Sequence, residues 1–246
     1  MSVQISLFKS LLKKTFFAFL LVFSSSCSVF NNGVRITSYG HSALLIEGGG
    51  QSVLLNPFES VGCASGLSEP RVNVDVILAS SELADEGATN VAEGKFLVRP
   101  GSYQINQNIF EGFSAPHDRF KGRRYGMTTI WQWTQAGLRF AHLGGAVAPL
   151  SMEDKIILGR PDVLIIAVGG GSKVYNGLEA AQVIQELKPK HVIPVQYIRG
   201  EQPDNCDQTG IDSFLDAMNN IEVRNVGSNL YLDKDLPDKL VINLMN

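Results

Sequence analysis

The arrangement of short apolar runs along the chain constrains its fold most strongly. In the first half the runs have strand length and are separated by glycines or polar turns, and strands are predicted at 34–39, 43–47, 52–56, 74–79, 95–98, 109–114, 127–133 and 138–142. In the second half, predicted helices at 152–158, 178–187 and 212–218 alternate with predicted strands at 162–168, 191–195, 221–226 and 229–232. Many strands followed by a β-α-β-α-β-β stretch indicate an α/β fold with two sheets and helices packed outside them.

The composition favours one α/β domain at residues 34–246, preceded by a short linker at 28–33. Apolar residues make up 44% of the 246 and charged residues 18%, which provides a buried core and argues against a disordered chain. The net charge is −3, so the charge balance gives no reason to expect nucleic-acid binding.

The first 27 residues have the pattern of a signal peptide. Three lysines precede the apolar run Thr15–Phe23, and three serines then lead to Cys27. Small residues before a cysteine resemble a lipoprotein cleavage site, so we expect export and lipidation of Cys27. The alternatives are ordinary cleavage after a small residue or an uncleaved anchor. The predicted location is the periplasm or a membrane-anchored lipoprotein, with membrane contact only through this segment.

Two further cysteines, Cys63 and Cys206, lie near glycine-rich or polar segments. An exported protein can oxidise such a pair to a disulfide. Because their spacing does not establish that they are close in space, two unpaired thiols remain the alternative.

Seven short segments occur in an order that is specific when they are taken together. They are 39–47 (YGHSALLIE), 54–58 (LLNPF), 74–87 (VDVILASSELADEG), 115–117 (APH), 139–145 (RFAHLGG), 162–171 (DVLIIAVGGG) and 192–197 (VIPVQY). Together they resemble the metallo-β-lactamase superfamily over residues 34–232, and most closely its L-ascorbate-6-phosphate lactonase-like hydrolases. This resemblance implies a four-layer α/β/β/α sandwich.

In that family an H-x-H-x-D-H loop, a further histidine, a bridging aspartate and a late histidine hold two zinc ions, which activate a water molecule. This sequence departs from the pattern at most of these positions. The replacements are Ser81, Leu83 and Glu86 for the loop histidines, Gly145 for the bridging aspartate, Gln196 for the late histidine and Asn56 for an early aspartate. Only Asp85 and His117 keep a usable ligand type, so we expect the dizinc centre to be absent.

Two functions follow as hypotheses. The first is a non-catalytic binding or interaction protein without a cofactor, whose partner is a small molecule or an envelope protein. Its pocket would include His41, Asn56, Ser81, Gly145 and Gln196. The second is a divergent hydrolase of an ester, lactone or phosphoester, with Asp85, Glu86 and His117 as candidate catalytic residues. Joined by Gln196, these would hold one divalent ion, and their oxygen-rich set suits magnesium, calcium or manganese.

Other residues allow alternative interpretations. Ser81 would be a nucleophile only with His117 as its base and Asp85 as the orienting group, and no G-x-S-x-G elbow is present. The cationic loop 118–124 could bind an anion near the pocket mouth or simply be solvated. His142 is expected to be structural and His191 to be partly exposed. Trp131 and Trp133 alternate along one predicted strand and are expected in the core.

Overall fold

The computed structural model describes residues 33–147 and 149–246. The predicted signal peptide, most of the predicted linker and Cys27 therefore lie outside the described residues. The strands are β1 (Gly33–Gly40), β2 (Ala43–Gly48), β3 (Gln51–Leu55), β4 (Asn73–Leu78), β5 (Glu93–Leu97), β6 (Gly101–Ile105), β7 (Asn108–Pro116), β8 (Met127–Gln135), β9 (Leu138–His142), β10 (Val163–Ala167), β11 (His191–Val195), β12 (Glu222–Gly227), β13 (Asn229–Asp233) and β14 (Val241–Met245). The helices are α1 (Met152–Leu158), α2 (Gly177–Leu187) and α3 (Asp212–Ala217).

The strands form two mixed sheets. One has six strands in the order β13-β1-β2-β3-β4-β5, and the other has eight in the order β12-β14-β11-β10-β9-β8-β7-β6. Within the eight-stranded sheet β9, β10, β11, β14 and β12 run parallel, as expected for strands joined through helices. The predicted two-sheet α/β sandwich is confirmed. The strands β6 and β14 were not predicted.

The main core lies between the two sheets. It is built from the inward-facing residues of both, including Ile36, Val53, Trp131 and Phe140. Trp133 stacks on Phe140 with ring centroids 4.9 Å apart, and both tryptophans are buried as expected. Full burial of one such side chain contributes about 1.5–3 kcal/mol, so this core is the principal source of stability.

The three helices in the described part of the chain pack on the outer face of the eight-stranded sheet. The apolar face of α2 covers β10 and β11, and Asn176 caps its first turn by accepting from the Glu179 amide at 2.9 Å. The outer face of the six-stranded sheet is covered by partly buried side chains of strands and loops instead, among them Tyr39, Val72 and Ala92. The segment between β4 and β5 forms turns because its polar, glycine-containing sequence lacks a helical apolar repeat.

A disulfide joins two loops at one end of the sandwich. Cys63 lies in a 3-10 turn, Gly62–Ala64, and Cys206 lies between β11 and α3. The pairing confirms the first of the two alternatives left open by the sequence. Because the two cysteines are 143 residues apart, the bond restricts the unfolded chain over most of the domain.

Candidate functional site

The loops that follow six strands converge at one end of the sandwich and bring the predicted site residues together. Direct contacts link them in a chain: Asn56 to Ser80, Ser81 to Glu86, Glu86 to His117 and to Gln196, and Gln196 to the backbone of His41. The site therefore forms at the place that the sequence predicts. Its internal bonding differs from that of a metal centre.

Glu86 is the centre of this cluster and is fully buried. Its Oε1 lies 2.8 Å from His117 Nε2 and accepts a hydrogen bond from Ser81 Oγ at 2.9 Å. Its Oε2 accepts from Ser80 Oγ at 3.2 Å and from Gln196 Nε2 at 3.3 Å. Four side chains thus occupy both oxygens of the one carboxylate that replaces a ligand histidine.

These partners keep Glu86 ionised inside the protein. Burial alone would raise its pKa, but the contacts with His117, the nearby Lys173 and the Ser81 hydroxyl outweigh that effect and lower the pKa to about 2. Burial lowers the pKa of His142 to about 4, although the Glu86 charge opposes this shift. His142 is therefore a neutral side chain near neutral pH, consistent with its expected structural role.

Asp85 pairs with a lysine that the sequence analysis did not identify. Lys173 Nζ lies 2.8 Å from Asp85 Oδ2, and the two side chains are 16% and 12% exposed. The only sequence signal for this residue is its position two residues after Gly169–Gly171, in the loop that follows β10. Asp85 and Glu86 therefore have separate partners.

Three predicted pocket residues have an unusual backbone. His41, Asn56 and Gln196 have φ values of 49°, 41° and 51°, in the left-handed region that non-glycine residues seldom occupy. Asn56 is held by its side chain, which accepts from the Ser80 amide at 2.8 Å and donates to Ser42 Oγ at 3.3 Å. Such conformations concentrate at functional sites, because the surrounding structure must enforce them.

Gly145 leaves the space that the His117 ring fills. A Cβ at Gly145 would lie 2.2 Å from His117 Nε2, so any side chain here would displace the imidazole from Glu86. The glycine at the predicted bridging position is therefore required for the Glu86–His117 contact. Gly145 therefore lacks a ligand side chain and also provides the space for the His117 ring.

The residues present do not fit the metal that the fold implies. Within residues 33–147 and 149–246, no group of three or more His, Cys, Asp and Glu side chains is arranged to hold an ion. Glu86 Oε1 lies 2.8 Å from His117 Nε2, the Lys173 ammonium pairs with Asp85, and Leu83 offers no donor atom. The single-ion set predicted from Asp85, Glu86, His117 and Gln196 stays a prediction.

The geometry also argues against a serine nucleophile. Ser81 Oγ donates to Glu86 at 2.9 Å rather than to His117, and Asp85 pairs with Lys173 rather than orienting the imidazole. The His117 base and the Asp85 orienting group that this hypothesis requires are therefore not in position beside Ser81.

The cationic loop is organised from within. Asp118 accepts hydrogen bonds from four backbone amides between residues 120 and 125, at 2.7–3.0 Å. Arg119 makes a bidentate contact with Glu179, at 2.6 and 2.9 Å, so it is not available to an anion. His191, expected to be partly exposed, is buried instead because β14 packs beside it and Asn243 Nδ2 lies 2.9 Å from its Nδ1.

Two cavities are relevant to binding. A cleft of about 140 Å³ adjoins the site; its lining includes His41, Leu67, Tyr197, Arg199 and Cys63. A larger groove of about 490 Å³ lies near Gln132, Arg139 and α1, and none of the predicted site residues lines it. Only the smaller cleft is therefore placed to use the predicted pocket.

Comparison with known proteins identifies relatives. A family model described as a β-lactamase superfamily domain matches residues 35–196. A UPF0173 metal-dependent hydrolase from Pyrococcus furiosus is 27% identical over an alignment of 196 residues that covers 67% of this chain and 84% of that protein. Another from Thermococcus kodakarensis is 24% identical over 195 residues, again 67% and 84%.

Solved structures agree with this relationship. A member of the metallo-beta-lactamase superfamily from Thermotoga maritima has a TM-score of 0.69 at 26% identity, covering 87% of this chain and 100% of that one. A metallo hydrolase from Ignicoccus hospitalis has a TM-score of 0.56 at 16% identity, covering 82% and 99%, and shows likeness of fold alone. None of these relatives is named as an L-ascorbate-6-phosphate lactonase, so that branch stays a prediction.

Proposed function

Since the chain belongs to the metallo-β-lactamase superfamily, yet its ligand positions hold side chains that bond to one another, we propose that it is a binding protein that works without a metal ion. The observation that carries this proposal is the closed set of contacts around Glu86, in which Ser80, Ser81, His117 and Gln196 occupy both carboxylate oxygens. A metal ion would have to displace these partners before it could bind.

The cleft beside His41 is the proposed binding site. Its volume of about 140 Å³ suits a small molecule, and it combines apolar walls such as Leu67 and Ile193 with polar groups on Ser38, Tyr197 and Arg199. The left-handed backbone at His41 and Gln196 holds one side of this cleft next to the Glu86 cluster. The other partner expected from the sequence, an envelope protein, would bind over the same opening.

A metal-dependent hydrolase is the second candidate, and the comparisons favour it. The relatives from Pyrococcus furiosus and Thermococcus kodakarensis are named as metal-dependent hydrolases. Asp85, Glu86 and His117 retain donor atoms in the corresponding loops, so a rearrangement that breaks the Lys173–Asp85 and Glu86–His117 pairs would free them. Ester, lactone or phosphoester substrates would then be the expected class.

One experiment separates these candidates. The protein is purified without chelator, its metal content is measured by mass spectrometry, and hydrolysis is assayed with ester, lactone and phosphoester panels. If the protein is a binding protein, we expect no stoichiometric metal. We also expect no hydrolysis that depends on Glu86, so wild type and Glu86→Gln should give the same background rate. One ion per chain together with turnover lost in Glu86→Gln would reject it in favour of the hydrolase; Glu82→Gln, a change in the same loop at an exposed position, is the control.

We also propose export to the cell envelope. The composition of residues 1–27 motivates this, and the Cys63–Cys206 disulfide supports it, because such bonds persist in oxidising compartments. No helix in the described part of the chain is long and apolar enough to cross a membrane. The proposed attachment is through the N-terminal segment, with Cys27 as the lipidated residue.

Membrane fractionation tests the proposed anchor. Cys27→Ser is expected to move the protein from the membrane fraction to the soluble fraction, whereas Cys63→Ser, which removes the disulfide but keeps Cys27, should leave the location unchanged. Membrane association that survives Cys27→Ser would contradict lipidation and favour an uncleaved anchor.

A further inference from the structure

Lys173 is held in place by its own loop. Gly170 and Gly171 both have φ of 75°, and a Cβ at Gly171 would lie 2.5 Å from Asp207 Oδ1. Ser172 donates to Asp207 from its amide at 2.7 Å and from its hydroxyl at 2.8 Å. The chain on both sides of Lys173 is therefore fixed, since Val174 is fully buried.

The Lys173 ammonium lies where the acidic side chains of the site need a cation. It contacts Asp85 at 2.8 Å, and its Nζ is 6.0 Å from the centre of the Tyr125 ring. Burial alone would lower the pKa of Lys173, but the Asp85 carboxylate, with Glu86 and Asp207, outweighs that effect and raises it. The ammonium therefore stays charged beside two largely buried carboxylates.

We propose that Lys173 supplies, from within the chain, the positive charge that a divalent ion would otherwise bring to this site, and that its presence keeps a metal out. This inference rests on the proposed metal-independent function. Carboxylates removed from water need a partner, because the loss of hydration is otherwise uncompensated. Lys173 meets that need for Asp85, while His117 contacts Glu86.

Without Lys173, the Asp85 carboxylate would have no cationic partner. It would lie in the same site as the Glu86 carboxylate, the Gln196 amide and the His117 imidazole. Carboxylate and amide oxygens with one imidazole are ligands that Mn²⁺ accepts. Removal of the lysine should therefore turn a charge-balanced cluster into a weak cation site.

The test compares the whole protein with Lys173→Met, which keeps the length of the side chain and removes its charge. Mn²⁺ binding is measured by calorimetry, and the thermal midpoint is recorded with Mn²⁺ and with EDTA. Lys173→Met is expected to melt below wild type in EDTA, to bind one Mn²⁺ at least about tenfold more tightly than wild type, and to regain part of its midpoint in saturating Mn²⁺.

Two variants control the result. Lys190→Met breaks a comparable pair, 2.9 Å from Asp162 and outside the site, and should lose some stability without gaining any Mn²⁺ response. Lys173→Arg retains the charge and should resemble wild type even if Lys173→Met folds poorly. Equal Mn²⁺ binding by wild type and Lys173→Met would overturn the inference, as would Mn²⁺ binding by Lys173→Arg. Catalytic turnover in wild type would instead reject the proposed function, so the two failures are distinguishable.

Discussion

Glu86 contacts His117 and Asp118 follows it in the chain; both carboxylates are nearly inaccessible to solvent, but they are held in opposite ways. Asp118 accepts four hydrogen bonds from backbone amides that are two to seven residues further along the chain. Glu86 is held by side chains that come from its own loop and from segments 31 and 110 residues away. One carboxylate organises a loop, and the other joins distant parts of the fold.

This difference shows how the two carboxylates depend on the rest of the fold. Local backbone bonds such as those of Asp118 form wherever a turn brings amides together. The partners of Glu86 must instead be brought together by folding of the whole sandwich, as metal ligands are. The cluster thus has long-range connections of the kind that a metal centre has, while the contacts of Glu86 are with side chains.

Removal of Glu86 should have the largest effect. Glu86→Ala removes the contact with His117 and leaves Gln196 and two serines without their shared acceptor, and leaving a buried donor unpaired costs about 1–3 kcal/mol. The free energy of unfolding in urea should fall by that amount. Glu82→Ala, in the same loop, removes an exposed pair with Arg99 and should cost only about 0–1 kcal/mol. Similar losses in both variants would show that Glu86 does not connect the fold.

The pH dependence of stability should give the next largest effect, and it concerns His142 beneath the cluster. Burial lowers the pKa of His142 from 6.5 to about 4, so the unfolded chain binds a proton that the folded chain does not between these values. The stability that neutral His142 contributes to the folded state is complete above about pH 6.5, and it is lost as the pH falls from 6.5 through 4. Between pH 7 and pH 5 this amounts to about 2 kcal/mol.

The His142→Leu variant isolates that contribution. Its free energy of unfolding should fall less than that of wild type between pH 7 and pH 5. Glu86 does not change the free energy of unfolding between pH 7 and pH 5. Its pKa is lowered from 4.5 to about 2, so its stabilisation is complete above pH 4.5 and is lost only as the pH falls towards 2. An identical pH slope in wild type and His142→Leu would mean that His142 is not the buried neutral histidine described above.

Much of the fold could be predicted because it depends on local patterns. The apolar runs at β4 and β10 and the helical spacing of α2 are strong enough to place these elements nearly to the residue. β6 was missed because GSYQI has only two apolar side chains, and β14 because its strand follows a long polar turn. His191 was expected to be partly exposed because nothing local indicates that β14 covers it.

The positions of the site residues could be predicted, but their partners could not. The motifs place Glu86, His117 and Gln196 in loops after three different strands, and the structure brings them into contact at one end of the sandwich. The contact between Lys173 and Asp85 spans 88 residues and depends on how the glycine turn after β10 is packed. No periodicity or motif in the sequence carries that information.

The smallest effect on global stability is expected at Asp118, whose partners are local, in contrast to those of Glu86. In Asp118→Asn the amide nitrogen cannot accept the hydrogen bonds that one carboxylate oxygen accepts, so two of the four backbone contacts are lost. The loop should open locally, and trypsin should cleave it faster at Lys121, Arg123 and Arg124. Asp216→Asn, at an exposed position of α3, should leave that rate unchanged. Because these bonds are local, the urea midpoint should stay close to that of wild type, whereas a loss as large as that of Glu86→Ala would show that both carboxylates hold the fold together.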